Sequence, residues 1–213
     1  MPTLDATTEF AEASLEITVL IDYARRNKKE IHKYQAFNKA ALVLLCAKFE
    51  AFLEAFLAEY CYAHMELSSN KNLDENIYDH LVSHLLEVLE PTKNNKRKRK
   101  EAIDNLALLC GDVEIKPCTG FEVNARFKYG KHGEKEVVRL LDTFGLKSVL
   151  DDACLTDFFR KFNSLNSIRN NIIHEDATPS LTHQDTEEFL ENIQTFVSCI
   201  DNVAQIRIAS IAT

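Results

Sequence analysis

Glycine and proline are the scarce residues, five of the first and four of the second in 213 positions, well below the usual share. Their placement is more telling than their number. All five glycines fall between Gly111 and Gly145, and neither residue occurs between Thr3 and Glu90. Beyond Leu146 only Pro179 intervenes. These two residues are the main breakers of helices, so the chain reads as two helical regions around an irregular middle.

Long apolar runs are also missing. The longest unbroken one, Ala40 to Ala47, falls far short of the roughly 20 residues a membrane-spanning helix needs, so no membrane partner is expected. Met1-Pro2-Thr3-Leu4-Asp5 lacks the basic-then-apolar layout of an export signal. The six cysteines (Cys46, Cys61, Cys110, Cys118, Cys154 and Cys199) are scattered, with no Cys-x-x-Cys pair. Several lie on faces that read as buried, where a thiol acts as a small hydrophobe. Reduced cysteines in a cytoplasmic protein are expected, not a disulfide framework.

Positive charge is in deficit as well. The net charge of −8 excludes generalised affinity for nucleic acid, so any RNA contact has to be local. Lys93, Lys96, Arg97, Lys98, Arg99 and Lys100 form a tight cationic run. Lys96 to Lys100 are the candidate RNA-backbone contacts; the simpler reading makes them a solvated loop between two helices.

What is present is helical periodicity. Helices are predicted from about Leu4 to His32, Tyr34 to Met65 and Leu73 to Leu89, the third closed by Pro91. In the second, Leu42, Leu45, Phe49, Phe52, Phe56 and Tyr60 recur every three or four residues. The crowd of leucines around them marks a core face, not a base-stacking platform. Ala102 to Cys110 reads as a short helix ended by Gly111, and Glu134 to Phe144 as another stopped by Gly145. Val113, Ile115, Phe121 and Val123 predict a short hairpin between them. Thr156 should cap the next helix, and Pro179 separates that helix from the last. Thr182 should cap the last one with Asp185 reaching back, ahead of a broad apolar face from Phe189 to Val203. The expected fold is an all-α antiparallel helical bundle, one domain over 1–213 with a basic and irregular insertion at 93–133.

The residues that point to chemistry are Arg169-Asn170-Asn171-Ile172-Ile173-His174. On a wheel advancing about 100° per residue from Phe158, the residues Phe162, Leu165 and Ile172 form the buried stripe. Arg169 falls inside that stripe, a costly place unless its guanidinium meets an anion or a cleft. Asn170 and His174, at i and i+4, share the opposite side and are placed to hydrogen-bond. Arg169 and His174 are about 140° apart. Either the helix loosens near His174, or two copies face each other and share a cleft. An arginine that holds phosphate and a histidine that moves a proton suffice to cut RNA without a metal. His174 would serve as general base or acid for attack by the 2′-hydroxyl, Arg169 would stabilise phosphoryl charge, and Asn170 would position one or the other. The products would be a 2′,3′-cyclic phosphate and a 5′-hydroxyl, and DNA would be refractory.

Competing readings are bland. Arg169 could be a structural ion pair with Glu50, and His174 a cation suited to a helix C-terminus. Glu175 and Asp176 would favour protonated His174 but repel phosphate. His32 (with Arg25 or Arg26) and His132 (with Arg126) repeat the loose spacing and serve as neutral controls. His80 and His84 with Glu87 are conceivable metal ligands, but the intervening Leu81, Val82 and Ser83 lack a metalloprotease context. No metal or cofactor is expected.

An arginine, a polar residue, a few further positions and a histidine resemble the motif of the HEPN superfamily of helical ribonucleases. Phe37-Asn38-Lys39-Ala40 leading into Leu44-Leu45-Cys46-Ala47-Lys48-Phe49-Glu50-Ala51-Phe52-Leu53-Glu54 looks like the second helix of its RiboL-PSP-HEPN branch. Leu140 to Leu146 and Asn166 to His174 are similar to later landmarks. The resemblance implies a helical fold, a homodimer joined through the motif helices, and metal-independent endoribonuclease activity in a toxin or phage-defence effector, with an antitoxin protein as a further partner. It implies Arg169 and His174 as the catalytic pair, with Asn170 as polar neighbour. Some members only bind, so a catalytically inactive RNA- or protein-binding module is the alternative. One branch, silenced by nucleotidyltransferase antitoxins, has a tyrosine two residues after the histidine; Asp176 stands there here.

Overall fold

The computed structural model describes residues 4–89, 91, 95–128, 130–174 and 180–211. Lys93, Glu175, Asp176 and Pro179 lie outside the described residues, as does the extreme N-terminus. Seven α-helices are found among the described residues: α1 (Asp5–Arg26), α2 (Ile31–Leu67), α3 (Glu75–Leu89), α4 (Lys96–Cys110), α5 (Glu134–Thr143), α6 (Phe158–His174) and α7 (His183–Ile211). Two 3₁₀ turns, Lys147–Asp151 and Ala153–Leu155, link α5 to α6. There is no strand among the described residues, and the fold is an all-α bundle.

Helix α2 is the axis. Its buried residues run from Tyr34 to Met65 and surround most of its circumference, as the wide apolar stripe in the sequence requires. Phe49, Phe52 and Phe56 are all buried. Helix α1 lies antiparallel to it, burying Phe10, Ala13, Ile17, Ile21 and Ala24 at helical spacing. The start of α1 has no side-chain cap of its own; instead the Ala6 N–H donates to both Glu59 carboxylate oxygens, at 3.1 and 3.2 Å. Helix α6 also opposes α2, with Phe158 and Phe162 against Phe49. Helix α7 runs in the same direction as α2. Near its start the Tyr34 hydroxyl bonds His183 Nδ1 at 3.0 Å and accepts from the His183 N–H at 3.1 Å, and further along Phe196 meets Phe49.

Local signals were realised unevenly. Thr182 and Asp185 form the reciprocal cap of α7: the Asp185 N–H donates to Thr182 Oγ1 at 3.1 Å, and the Thr182 N–H donates to Asp185 Oδ2 at 2.8 Å. Gly145 ends α5 with φ of 71°, a left-handed conformation that favours glycine. An added Cβ would also meet Asn76 Nδ2 at 2.9 Å. Thr156 does not cap α6. Its hydroxyl donates to the Ala153 carbonyl, and the helix begins two residues later.

Two expectations are overturned. The cationic run is not a loop: Lys96 to Lys100 form the exposed N-terminal end of α4. Asn95 caps that end by accepting from the Lys98 N–H at 3.2 Å, and lysine and arginine are good helix formers. The hairpin is absent as well. The irregular segment is bonded instead to α2 and the turn after it: Asn70 donates to the Val113 carbonyl at 3.0 Å and accepts from the Ile115 N–H at 2.9 Å, and the Cys118 N–H donates to the Met65 carbonyl at 2.8 Å. Buried Cys118, Phe121 and Ala125 anchor the segment on the core, which removes any need for a paired strand.

Among the buried polar groups, His64 is only 4% exposed, and neither ring nitrogen has a hydrogen-bond partner. Burial pushes its pKa down from 6.5 to about 4. The unfolded chain therefore takes up the proton first as pH falls, so stability is intact above pH 6.5 and drains away towards pH 4. The drop corresponds to roughly 3 kcal/mol. Half-buried His80, also lowered to about 4, acts in the same sense. Urea unfolding followed from pH 7 to 4 should show this loss, and His64→Leu should make it shallower. Parallel losses in both proteins would contradict the assignment.

Candidate active site

An open cleft of about 1140 Å³ lies between α2, α5, α6 and the residues 127, 128 and 130–133. Helix α6 contributes Asn163, Asn166, Arg169, Asn170, Ile173 and His174. On the wheel started at Phe158 these residues span a sector from about 20° to about 160°. Arg169 is at the edge that borders the core stripe, and His174 is at the other. The 140° between them is thus the width of one cleft-facing surface. Helix α6 stays regular through His174, so the loosening considered from the sequence is not seen; instead both residues line one broad cleft of a single copy.

Arg169 is half-buried and His174 exposed. The Arg169 guanidinium forms no salt bridge among the described residues; its Nη1 donates to Asn170 Oδ1 at 3.1 Å. Asn170 thus holds the arginine, not the histidine that sequence spacing suggested. The positive charge is felt nearby. Burial pushes the Cys46 thiol up to about 12, Glu50 adds to this, and Arg169 opposes it. Burial likewise raises the Glu50 carboxyl above its usual range, while His132 and Arg169 pull it back.

The acid that could have neutralised Arg169 has another partner. His132 Nδ1 lies 3.2 Å from Glu50 Oε1, with the two side chains 32% and 21% exposed. His132 therefore lines the cleft and is not the neutral control the sequence offered. His32, exposed on the first turn of α2, remains one. Glu50 and Glu54 sit one turn apart on α2 and both face the cleft. Glu54 Oε1 accepts from the Phe127 N–H at 2.8 Å, and Glu136 Oε1 accepts from the Lys128 N–H at 2.8 Å. Two carboxylates thus hold the segment carrying His132 over the cleft. Available signals were the glycines near His132, Gly130 and Gly133, and the carboxylates Glu50 and Glu54 at i, i+4 beside the aromatic core stripe of α2.

Other sequence candidates fall elsewhere. Lys96, Arg97, Lys98, Arg99 and Lys100 are exposed on α4, which packs on α3, and none lines the cleft. His80 and His84 stack nearly parallel beside a smaller cleft of about 590 Å³. His80 Nε2 already accepts from the Asn124 N–H at 3.3 Å, and no three ligand-type residues are grouped for a metal among the described residues.

The RiboL-PSP-HEPN family matches residues 8–205, a span that takes in the cleft and all its walls. The chain belongs to that family. No curated protein and no solved structure matches it. HEPN domains are often ribonucleases, so RNA-related chemistry is the class of function in view.

The carboxylate hold on the cleft segment can be measured. Glu54→Ala should leave the Phe127 N–H without its acceptor, at a cost of roughly 1–3 kcal/mol. Amide exchange at Phe127 should accelerate more than in the buried turns of α2. Unchanged exchange there would show that the segment is held by other means.

Proposed function

We propose that this HEPN chain is a metal-independent endoribonuclease that cleaves RNA by 2′-hydroxyl transesterification. The observation that carries the reading is the opening of Arg169, Asn170 and His174 on one cleft, with Arg169 in no salt bridge among the described residues. Arg169 stabilises charge on the non-bridging phosphoryl oxygens, Asn170 orients the guanidinium, and His174 exchanges a proton with the reacting ribose. The nucleophile belongs to the RNA, so this chemistry calls for no metal-bound water.

The cleft tolerates phosphate better than the net charge of −8 implies. Lys128, Lys131, Lys135 and Arg169 stand against Glu50, Glu54, Glu134 and Glu136. Glu136 is already paired with Arg139 at 2.7 Å. The exposed cations of α4 supply a separate, more distant contact for the RNA backbone. A second copy of the chain meets the first through α6, where Ile173 is 46% exposed beside His174. In the cell the protein acts as a toxin or phage-defence effector restrained by a partner protein.

The same cleft supports a rival reading as a silent RNA- or protein-binding module, favoured by its four carboxylates. Incubation with total RNA and mapping of fragment ends distinguishes the two. The nuclease leaves 2′,3′-cyclic phosphates and 5′-hydroxyls in the presence of EDTA and spares DNA. Arg169→Ala and His174→Ala should each slow cleavage by about 10²–10⁴-fold, with oligomeric mass and melting temperature unchanged. Binding without cleavage by the unaltered protein would leave the silent module. Neutralising Lys96 to Lys100 should flatten the salt dependence of RNA affinity, by about one in log–log slope for each phosphate no longer neutralised; an unchanged slope would remove α4 from the interface.

A further inference from the structure

Cleavage through the RNA's own 2′-hydroxyl takes two proton transfers, one off the attacking hydroxyl and one onto the departing 5′-oxygen. Within one copy Arg169 and His174 supply a single imidazole, at one edge of the cleft. A second imidazole lines the same cleft in the same copy of the chain. His132 is placed by two contacts: Nδ1 lies 3.2 Å from Glu50 Oε1, and its ring stacks on Phe127 with centroids 6.1 Å apart. The chain leading into its turn is tied down at two adjacent residues, where Glu54 accepts from the Phe127 N–H and Glu136 from the Lys128 N–H.

This arrangement differs from that of a histidine filling space. A carboxylate 3.2 Å from Nδ1, close enough for an ion pair but not aligned as a hydrogen bond, attracts the protonated ring to this orientation and leaves Nε2, on the far side, to exchange a proton. The pair with Glu50 is a salt bridge only when the ring is protonated, which is the form a proton donor needs. Resting on the nuclease reading above, we propose that His132 is a second proton-transfer residue of this cleft, the general acid, and that Glu50 is its positioning residue.

The step balances without a co-reactant. Neutral His174 takes the 2′-hydroxyl proton as the 2′-oxygen bonds to phosphorus. The bond from phosphorus to the 5′-oxygen breaks, and the His132 imidazolium gives its proton to that oxygen. A 2′,3′-cyclic phosphate and a 5′-hydroxyl result. The two imidazoles end with exchanged protonation, which solvent restores. Each copy then carries both histidines, so a dimer is not needed to supply the second one.

Two oligonucleotides test this: natural RNA, and the same RNA with sulfur in place of the 5′-bridging oxygen, whose thiolate departs without needing a proton. His132→Gln should slow cleavage of the natural RNA by about 10²–10⁴-fold and recover near the unaltered rate on the sulfur substrate. His174→Gln should stay slow on both. Glu50→Gln, which preserves the ring, should show a smaller loss with the same recovery, and it decides the matter if His132→Gln fails to fold. Full activity of His132→Gln on natural RNA, with Arg169→Ala and His174→Ala inactive, overturns the proposal and leaves the parent reading standing. Equal loss on both substrates overturns it too, because the role would then be structural. Failure of the unaltered protein to cut either substrate removes both readings together.

Discussion

Phe49 meets three rings at once, Phe162 at 5.2 Å, Phe196 at 5.6 Å and Phe158 at 6.4 Å between centroids. Those rings belong to α6 and α7, so one side chain sets both helices against α2. Phe158 and Phe196 stack on each other at 4.5 Å and complete the cluster. Interiors this dense resist sliding, and aromatic pairs favour particular geometries beyond the area they bury. Glu50 follows Phe49 directly, and Arg169 stands two turns beyond Phe162 on the same side of α6. The register that buries the rings therefore also brings the guanidinium within electrostatic reach of Glu50. A slip of α6 by one turn would move it by about 5.4 Å and take Arg169 and His174 out of line with α2.

The cleft follows from how charge is handled around that cluster. Arg169 lies at the border between the apolar stripe of α6 and its polar face, so its stem packs while its head group meets open space. Asn170 holds that head group, and Glu50 turns to His132. Leaving the arginine without a carboxylate partner among the described residues, in a half-buried place, carries a cost that core helices normally avoid. On the proposed function that cost is met by a phosphate, with Glu54 and Glu136 held by backbone N–H groups and Glu50 beside His132.

Much of the fold was legible in the residues. The absence of glycine and proline between Thr3 and Glu90 marked the long α1 and α2, and the stripe around Phe49 marked the core. The Thr182–Asp185 cap appears where its spacing placed it. Errors came where local pattern met tertiary context. Val113, Ile115, Phe121 and Val123 alternate like strand residues, yet Asn70 bonds the backbone of Val113 and Ile115, and the Cys118 N–H donates to the end of α2. The basic run looked like a solvated loop between two helices, but Asn95 and good intrinsic propensity carry α4 back to Lys96. His132 was set aside because its spacing to Arg126 is meaningless in sequence; the partner that matters is Glu50, far away along the chain.

The order of residues alone determined the helical class, the buried face of each main helix, and Arg169 and His174 as the pair to examine. Each of these rests on local periodicity, which backbone geometry imposes on any chain. The cleft, the release of Arg169 from any carboxylate among the described residues and the pairing of His132 with Glu50 were decided only by the tertiary structure. They depend on which helix lies against which, and at what register. That is settled by ring packing and burial among residues well over a hundred positions apart, and no local pattern encodes it.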